Sequence, residues 1–292
     1  MEKKILSNGI QVVQNVITSK AALPILSNVL IETQTGSISL TATDLDIGII
    51  CVIPVDIQES GAITIPAKRF SDIIKELPDG NVLLNTKKNN LVTIESDNCQ
   101  FKIMGLPKEE FPKIPEFKNK EVVRIEQFSL KTMLNLTSFA VSYDEARYIL
   151  NGILFQFLKN TFKLIATDGK RLAIIERKLS QVIEKELAII VPIKTIHELN
   201  RNLKDEGEVS IVLSNNQVMF DLGGVVIVSR LIEGEFPDYR QVVPETTDNK
   251  IKVGRESLLL AVKRASLLST PDYQAVKMEV FKNKLVVSKT TP

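Results

Sequence analysis

The sequence predicts an α+β fold built from tandem copies of one unit, each with two helices packed on antiparallel sheet. Three observations predict it. An internal repeat recurs about every 125 residues, matching strands alternate apolar and polar residues, and apolar stripes at helical spacing follow matching prolines. Residues 24–32 (PILSNVLIE) read against 148–156 (YILNGILFQ), and 37–44 (SISLTATD) against 161–168 (TFKLIATD), both 124 positions on. Residues 65–70 (IPAKRF) read against 191–196 (VPIKTI) at an offset of 126, and 106–112 (LPKEEFP) against 231–237 (LIEGEFP) at 125. Four matches in one order mark a duplication.

A third copy begins. Residues 257–268 (SLLLAVKRASLL) follow the pattern of 129–141, and 273–280 fall one period after 149–156. It reaches Pro292 after about 45 residues of a unit that needs about 120, so it reads as a copy cut short, able to bury little of its own apolar surface. The expected domains are 1–117, 118–246 and a partial 247–292. Short proline-bearing links at 112–120 and 243–250 join them into one rigid, curved body.

Each element has a local reason. A first helix opens each copy, around residues 10–17, 130–141 and 258–268. Ile38, Leu40 and Ala42, like Phe162, Leu164 and Ala166, alternate with neighbours and predict half-buried strands. After Pro66, Phe70, Ile73, Ile74 and Leu77 mark a second helix; after Pro192, Ile196, Leu199 and Leu203 mark its equivalent. Residues 81–94 and 208–220 each predict two short strands around an asparagine turn, Asn89-Asn90 and Asn215-Asn216. Seven or eight strands per copy result.

Composition narrows the function. At 44% hydrophobic and 25% charged the chain is an ordinary globular one. Lys+Arg 37 against Asp+Glu 35 leaves +2, so any attraction for a polyanion must be local. Cys51 and Cys99 cannot form a disulfide framework, and with one histidine, His197, no zinc cluster is expected. No apolar run approaches the roughly 20 residues of a membrane span, and the charged start MEKK leads into no signal core. A soluble cytoplasmic protein with reduced thiols and no membrane contact is expected.

The order LPILSN (23–28), TATD (41–44), IPAKRF (65–70), RYILNG (147–152), ATDGKRLA (166–173) and EGEFPDYR (233–240) resembles the bacterial replicative DNA polymerase sliding clamp, the polymerase's beta subunit. The resemblance covers essentially the whole chain. It implies three-domain chains that dimerise head to tail into a ring, with duplex DNA passing through a helix-lined pore and continuous sheet outside. At both ends this sequence departs from that pattern: only residues 1–4 precede the first helix, and most of the third domain is missing. The implied function is processivity, with no catalysis and no cofactor. Implied partners are double-stranded DNA bound without regard to sequence, the polymerase catalytic subunit, the clamp loader and other clamp-motif proteins. The full-length form is a homodimer. The 292-residue chain itself is expected to be monomeric or weakly associated and to bind partners poorly.

By resemblance, DNA contacts fall on Lys20, Lys68, Arg147, Tyr148 and Lys194. Lys68 and Lys75, and Lys194 and Arg201, recur at i, i+7 on the second helices, with Asp72 and Glu198 between them as expected local ion-pair partners. By spacing alone this face reads equally as a solvated one. Asp144 stands where the family can carry a neutral polar contact. The implied groove for partner peptides comprises Leu150, Thr167, Gly169, Arg171, Leu172, Pro237 and Val242; core packing and a turn glycine are the plainer readings of its members. Lys170 and Gln241 depart from the best-known pattern beside it. Phe101 and Ile103 on an edge strand, with Leu267 and Leu268, are the implied dimer contacts, or else Phe101 and Ile103 face their own core. Two other classes remain open. One is a repeat scaffold that binds no DNA; the other is a metal-dependent hydrolase using Asp44, Asp46 and Asp168, although turn capping also explains Asp44 and Asp168.

Overall fold

The computed structural model describes residues 1–17, 23–115, 117, 122–184, 186–214, 216–244, 250–270 and 273–290. The chain divides into two compact units, Met1–Pro237 and Asp238–Pro292.

Within the first unit the duplication is directly visible. The first run is α1 (Lys3–Gln14), β1 (Asn28–Gln34), β2 (Ser37–Thr43), β3 (Ile47–Pro54), β4 (Ala62–Pro66), α2 (Ala67–Glu76), β5 (Leu83–Thr86), β6 (Leu91–Ser96) and β7 (Cys99–Met104). The second is β8 (Val122–Glu126), α3 (Gln127–Asn135), β9 (Gly152–Leu158), β10 (Thr161–Thr167), β11 (Leu172–Lys178), β12 (Leu187–Pro192), α4 (Ile193–Asn202), β13 (Glu208–Ser214), β14 (Gln217–Asp221) and β15 (Val225–Arg230). Among the described residues, the opening strand β8 lacks a full counterpart. In the first copy it shrinks to a Glu2–Asn81 bridge, with the Val82 N–H donating to the Met1 carbonyl at 2.7 Å.

Strand order repeats as well: β4-β1-β2-β3 in one copy and β12-β9-β10-β11 in the other. The copies then fuse. β3 pairs antiparallel with β15, Val225 opposite Cys51 and Ser229 opposite Ile47, making one eight-stranded sheet β4-β1-β2-β3-β15-β14-β13-β8. The edge bonds continue beyond the ladder, Val52 N–H to Gly224 O and Arg230 N–H to Asp46 O, both 2.8 Å.

The helical stripes meet this sheet. Phe70, Ile74 and Leu77 of the first copy and Ile196, Leu199 and Leu203 of the second are buried; Ile73 is half-buried. Pro66 and Pro192 end strands and occupy the N-cap, with φ of −58° and −59°, instead of the first helical turn. The first helix begins earlier than its stripe suggested. Leu6 and Gly9 extend the buried face of α1 toward Lys3, and a Cβ on Gly9 would stand 3.0 Å from Leu40 and 3.2 Å from Ile53, so glycine lets the helix approach the sheet. Conversely, α3 stops at Asn135. Thr137, buried and at φ −124°, donates its hydroxyl back to the Met133 carbonyl at 2.9 Å, and a 3-10 turn Ser138–Ala140 follows.

Strand β2 corrects another expectation. Besides Ile38, Leu40 and Ala42, its Ser39, Thr41 and Thr43 are buried, so both faces are covered. Small hydroxyl side chains tolerate this when bonded locally, as Thr43 Oγ1 is to the Ile47 carbonyl at 3.0 Å.

In the second copy the core is aromatic. Phe155 meets Phe162 edge-to-face at 5.5 Å and Phe220 at 6.1 Å, and Phe157 stacks on Phe162 at 4.7 Å. The junction between copies is polar in part. Thr195 of α4 and Ser229 of β15 share a hydroxyl bond at 2.6 Å. Glu198 is 4% exposed and binds Arg201 at 2.7 Å through Oε1; its Oε2 has no partner among the described residues. Burial pushes its carboxyl above the ordinary value, opposed chiefly by the Arg201 guanidinium.

The second unit holds α5 (Arg255–Ser266) and the hairpin β16 (Lys277–Phe281) with β17 (Lys284–Ser288). No residue of α5 is buried, and Leu260, Val280 and Phe281 are exposed. The unit does little to cover its own apolar face.

Phe155→Ala is expected to cost about 3–5 kcal/mol in urea denaturation, because Phe155 is fully buried among rings that cannot collapse into its space. A cost under about 1 kcal/mol would show that the cluster is not what holds this copy together. Glu198→Gln is expected to raise the melting temperature at pH 7–8. A carboxyl with a raised folded-state pKa loses stability as pH rises from its unfolded to its folded value, and the deficit persists above. The difference should close as pH falls below the ordinary carboxylate range; a gap independent of pH would point to packing instead.

Candidate functional site

Lys68 and Lys194 occupy the same place in the two copies: each is the second residue of its helix, just after the N-cap proline. Their surroundings differ. Lys68 is exposed and has no ion-pair partner among the described residues. Lys194 bonds the Oδ2 of Asp44, a residue of the other copy. Of the expected local pairs, Glu198 with Arg201 forms, whereas none is seen for Asp72 among the described residues. Asp72 stays unpaired with Lys68, and Glu198 turns to Arg201 at i+3, where a guanidinium reaches the buried carboxylate more easily than Lys194 at i−4. Lys20 lies outside the described residues.

Asp44 and Asp168 close equivalent turns. Asp44 Oδ1 accepts the N–H groups of Asp46 and Ile47 at 3.0 and 2.9 Å; Asp168 Oδ1 accepts those of Lys170 and Arg171 at 2.9 and 3.0 Å. Burial alone would raise the Asp168 carboxyl, but those two N–H groups and the Arg171 guanidinium outweigh it and hold it below its ordinary value. With Asp44 and Asp168 each committed to its own turn, Asp46 pairs instead with Arg230 at 3.9 Å. Among the described residues no group of three or more His, Cys, Asp or Glu side chains is arranged to hold a metal.

Arg147 and Tyr148 lie in a 3-10 segment, Glu145–Leu150, whose N-cap Asp144 accepts the Ala146 N–H at 3.0 Å. Arg147 donates to the Asp168 carbonyl at 3.2 Å and stands 3.6 Å from Asp144. Asp144, in the place of a neutral contact, thus engages the neighbouring cation. Tyr148 is 58% exposed.

The turn joining β10 to β11 carries most of the groove residues. Thr167 donates to the Arg171 carbonyl at 2.7 Å and accepts the Gly169 N–H at 3.0 Å, while Gly169 takes φ +84°, which favours glycine. Arg171 bonds Asp168 at 3.0 Å and lies over the Phe139 ring at 5.6 Å. Leu150, Thr167 and Leu172 are half-buried and Pro237 is exposed. Val242, 71% exposed, belongs to the second unit. Sequence reasoning missed Phe139, which is 56% exposed although it sits in an apolar-looking stretch. It also read Asp44 only as a turn cap or a candidate hydrolase acid, because nothing local signals a partner 150 residues away.

On β7, Phe101 is 39% exposed, while Ile103 is 9% exposed and joins the first copy's core. β7 pairs with β6 and, among the described residues, with no strand on its other side. Leu267 and Leu268, just after α5, are 83% and 53% exposed. Among the described residues no helix is long and apolar enough to cross a membrane.

Comparison with known proteins agrees with this layout. Residues 1–115 match the family model for the DNA polymerase III beta subunit, N-terminal domain, and residues 124–238 that for its central domain. The beta sliding clamp of Chlamydia pneumoniae is 33% identical over 285 residues, 97% of this chain and 77% of that one. That of Escherichia coli K12 is 31% identical over 295 residues, covering 100% and 80%. Among solved structures, the Bacillus subtilis DNA polymerase sliding clamp superposes with a TM-score of 0.94 at 30% identity, covering 100% of this chain and 80% of that one. A Bartonella birtlesii sliding clamp bound to griselimycin gives 0.92 at 35% identity, covering 98% and 78%. The chain belongs to the bacterial beta sliding clamp family, and its function is that of a processivity clamp in DNA replication.

Proposed function

We propose that this chain acts without catalysis or cofactor, as an arc of a ring that encircles duplex DNA in the cytoplasm. One observation carries the reading: two copies of one unit share a continuous sheet, and each offers a lysine two residues after the proline that caps its second helix. Lys68, Lys194, Arg147, Tyr148 and Lys20 are the proposed DNA contacts. They act on phosphate and sugar, giving a sequence-independent attraction that permits sliding. The domains are 1–117, 118–246 and 247–292. Leu150, Thr167, Gly169, Arg171, Leu172, Pro237 and Val242 form a groove for linear motifs of the polymerase catalytic subunit, the clamp loader and other clamp-binding proteins. The griselimycin-bound relative supports a ligand-accepting surface in this family. Phe101 and Ile103 meet Leu267 and Leu268 of a second subunit in the full-length homodimer.

In the full-length form, after loading by a bacterial clamp loader with ATP, the protein should stay with nicked circular DNA through gel filtration and be lost when the circle is cut. Equal retention on both forms would defeat the ring. Lys68→Ala should lower the salt dependence of duplex binding by about 0.9 in log–log slope while leaving sequence preference absent. An unchanged slope would remove Lys68 from the DNA contacts.

A further inference from the structure

The two turn aspartates differ in what their second carboxylate oxygen holds. Asp168 Oδ2 receives Nε of Arg171, three residues on, at 3.0 Å. Three residues after Asp44 stands Ile47, 2% exposed in the core, which offers no cation. Asp44 Oδ2 takes the Lys194 ammonium instead, across the junction between copies.

The register of the joined sheet brings this about. Pairing of β3 with β15 sets Ile47 opposite Ser229, and Ser229 holds the hydroxyl of Thr195 at 2.6 Å. Lys194, the residue before Thr195, is thereby delivered to the carboxylate three residues before Ile47. Asp44's side chain is 14% exposed and that of Lys194 45%, so the pair is partly shielded yet open on the lysine side. Lys68, the equivalent lysine of the first copy, has no such partner among the described residues.

We propose that Asp44 is a positioning residue for Lys194. It holds the ammonium at the junction, so the second helices of the two copies attract phosphate unequally, Lys68 in full and Lys194 in part. This rests on the DNA-contact reading above. Releasing Lys194 adds close to one neutralised phosphate to the binding equilibrium and makes the protein adhere more tightly to duplex.

Fluorescence anisotropy with a labelled 30-base-pair duplex between 50 and 200 mM KCl tests it, on wild type, Asp44→Asn, Lys194→Met and the double variant. Asparagine keeps an oxygen for the Asp46 and Ile47 N–H groups; Asp44→Ser, also able to cap the turn, is a second neutral variant should the first fail to fold. Both neutral variants should bind duplex more tightly at 50 mM, with a slope steeper by about 0.9. Their advantage over wild type should shrink roughly threefold by 200 mM. Asp44→Glu should return the wild-type slope. In the Lys194→Met background, Asp44→Asn should change little. If it strengthens binding equally there, Asp44 is only a repelling charge and the proposal is overturned. Wild-type binding with Asp44→Asn and Asp44→Ser unchanged overturns it too, leaving the DNA reading intact. No salt-dependent binding by wild type overturns the DNA reading and this proposal together.

Discussion

Antiparallel pairing of β3 with β15 is the constraint on which the rest of the first unit depends. A strand inside a sheet has two rows of backbone donors and acceptors, and a buried group left unpaired costs about 1–3 kcal/mol. β3 satisfies one row on β2 and the other on β15. Because the unit is duplicated, β11 is to the second copy what β3 is to the first, and β7 is to the first what β15 is to the second. The contact therefore joins unlike edges. Such heterologous contacts leave one edge of each kind open on every added unit, so they repeat until a rotation closes them. Among the described residues, β7 and β11 each lack a neighbour on one side, and β7 carries Phe101.

The same pairing fixes the electrostatics of the junction. With Ser229 opposite Ile47, the start of α4 is anchored through Thr195, and two ion pairs, Lys194 with Asp44 and Arg230 with Asp46, bridge the copies. Neither is buried on both sides, so each contributes on the order of 1 kcal/mol or less, and the sheet supplies the rest of the cohesion. The polar contacts set alignment more than strength.

What was legible in the sequence was local or repeated. The stripes Phe70, Ile74, Leu77 and Ile196, Leu199, Leu203 stood out because a helix buries every third or fourth residue, and the duplication showed them twice. The boundaries of α1 and α3 were less legible. Gly9 adds nothing to an apolar stripe although it packs against the sheet, and Thr137 ends a helix through a hydroxyl bond that apolar periodicity does not encode. The resemblance implied continuous sheet, but the strands that join the copies were not readable from the residues, because Val225 and Cys51 are far apart in sequence and each strand shows only its own alternation. Asp44 illustrates the same limit at the candidate site. Its turn-capping role was readable from its match to Asp168 at the same place in the repeat, whereas its second oxygen depends on a register that only the assembled sheet defines.

A protein that retains DNA by topology needs contacts that form and break quickly, and the charge arrangement here suits that need. The net charge is only +2, and two of the proposed DNA-contacting cations already have partners: Lys194 with Asp44 and Arg147 with Asp144. A phosphate must compete with a carboxylate for each of them. Since an exposed pair is worth about 1 kcal/mol or less, exchange between the two anions has a small free-energy step. Free arginines and lysines in the same places would bind phosphate more tightly and hold each position longer. On the proposed reading, the pairs of Lys194 and Arg147 make those stops along the duplex shallower while Lys68 stays fully available, and closure of the ring, not contact strength, sets how long the DNA is held.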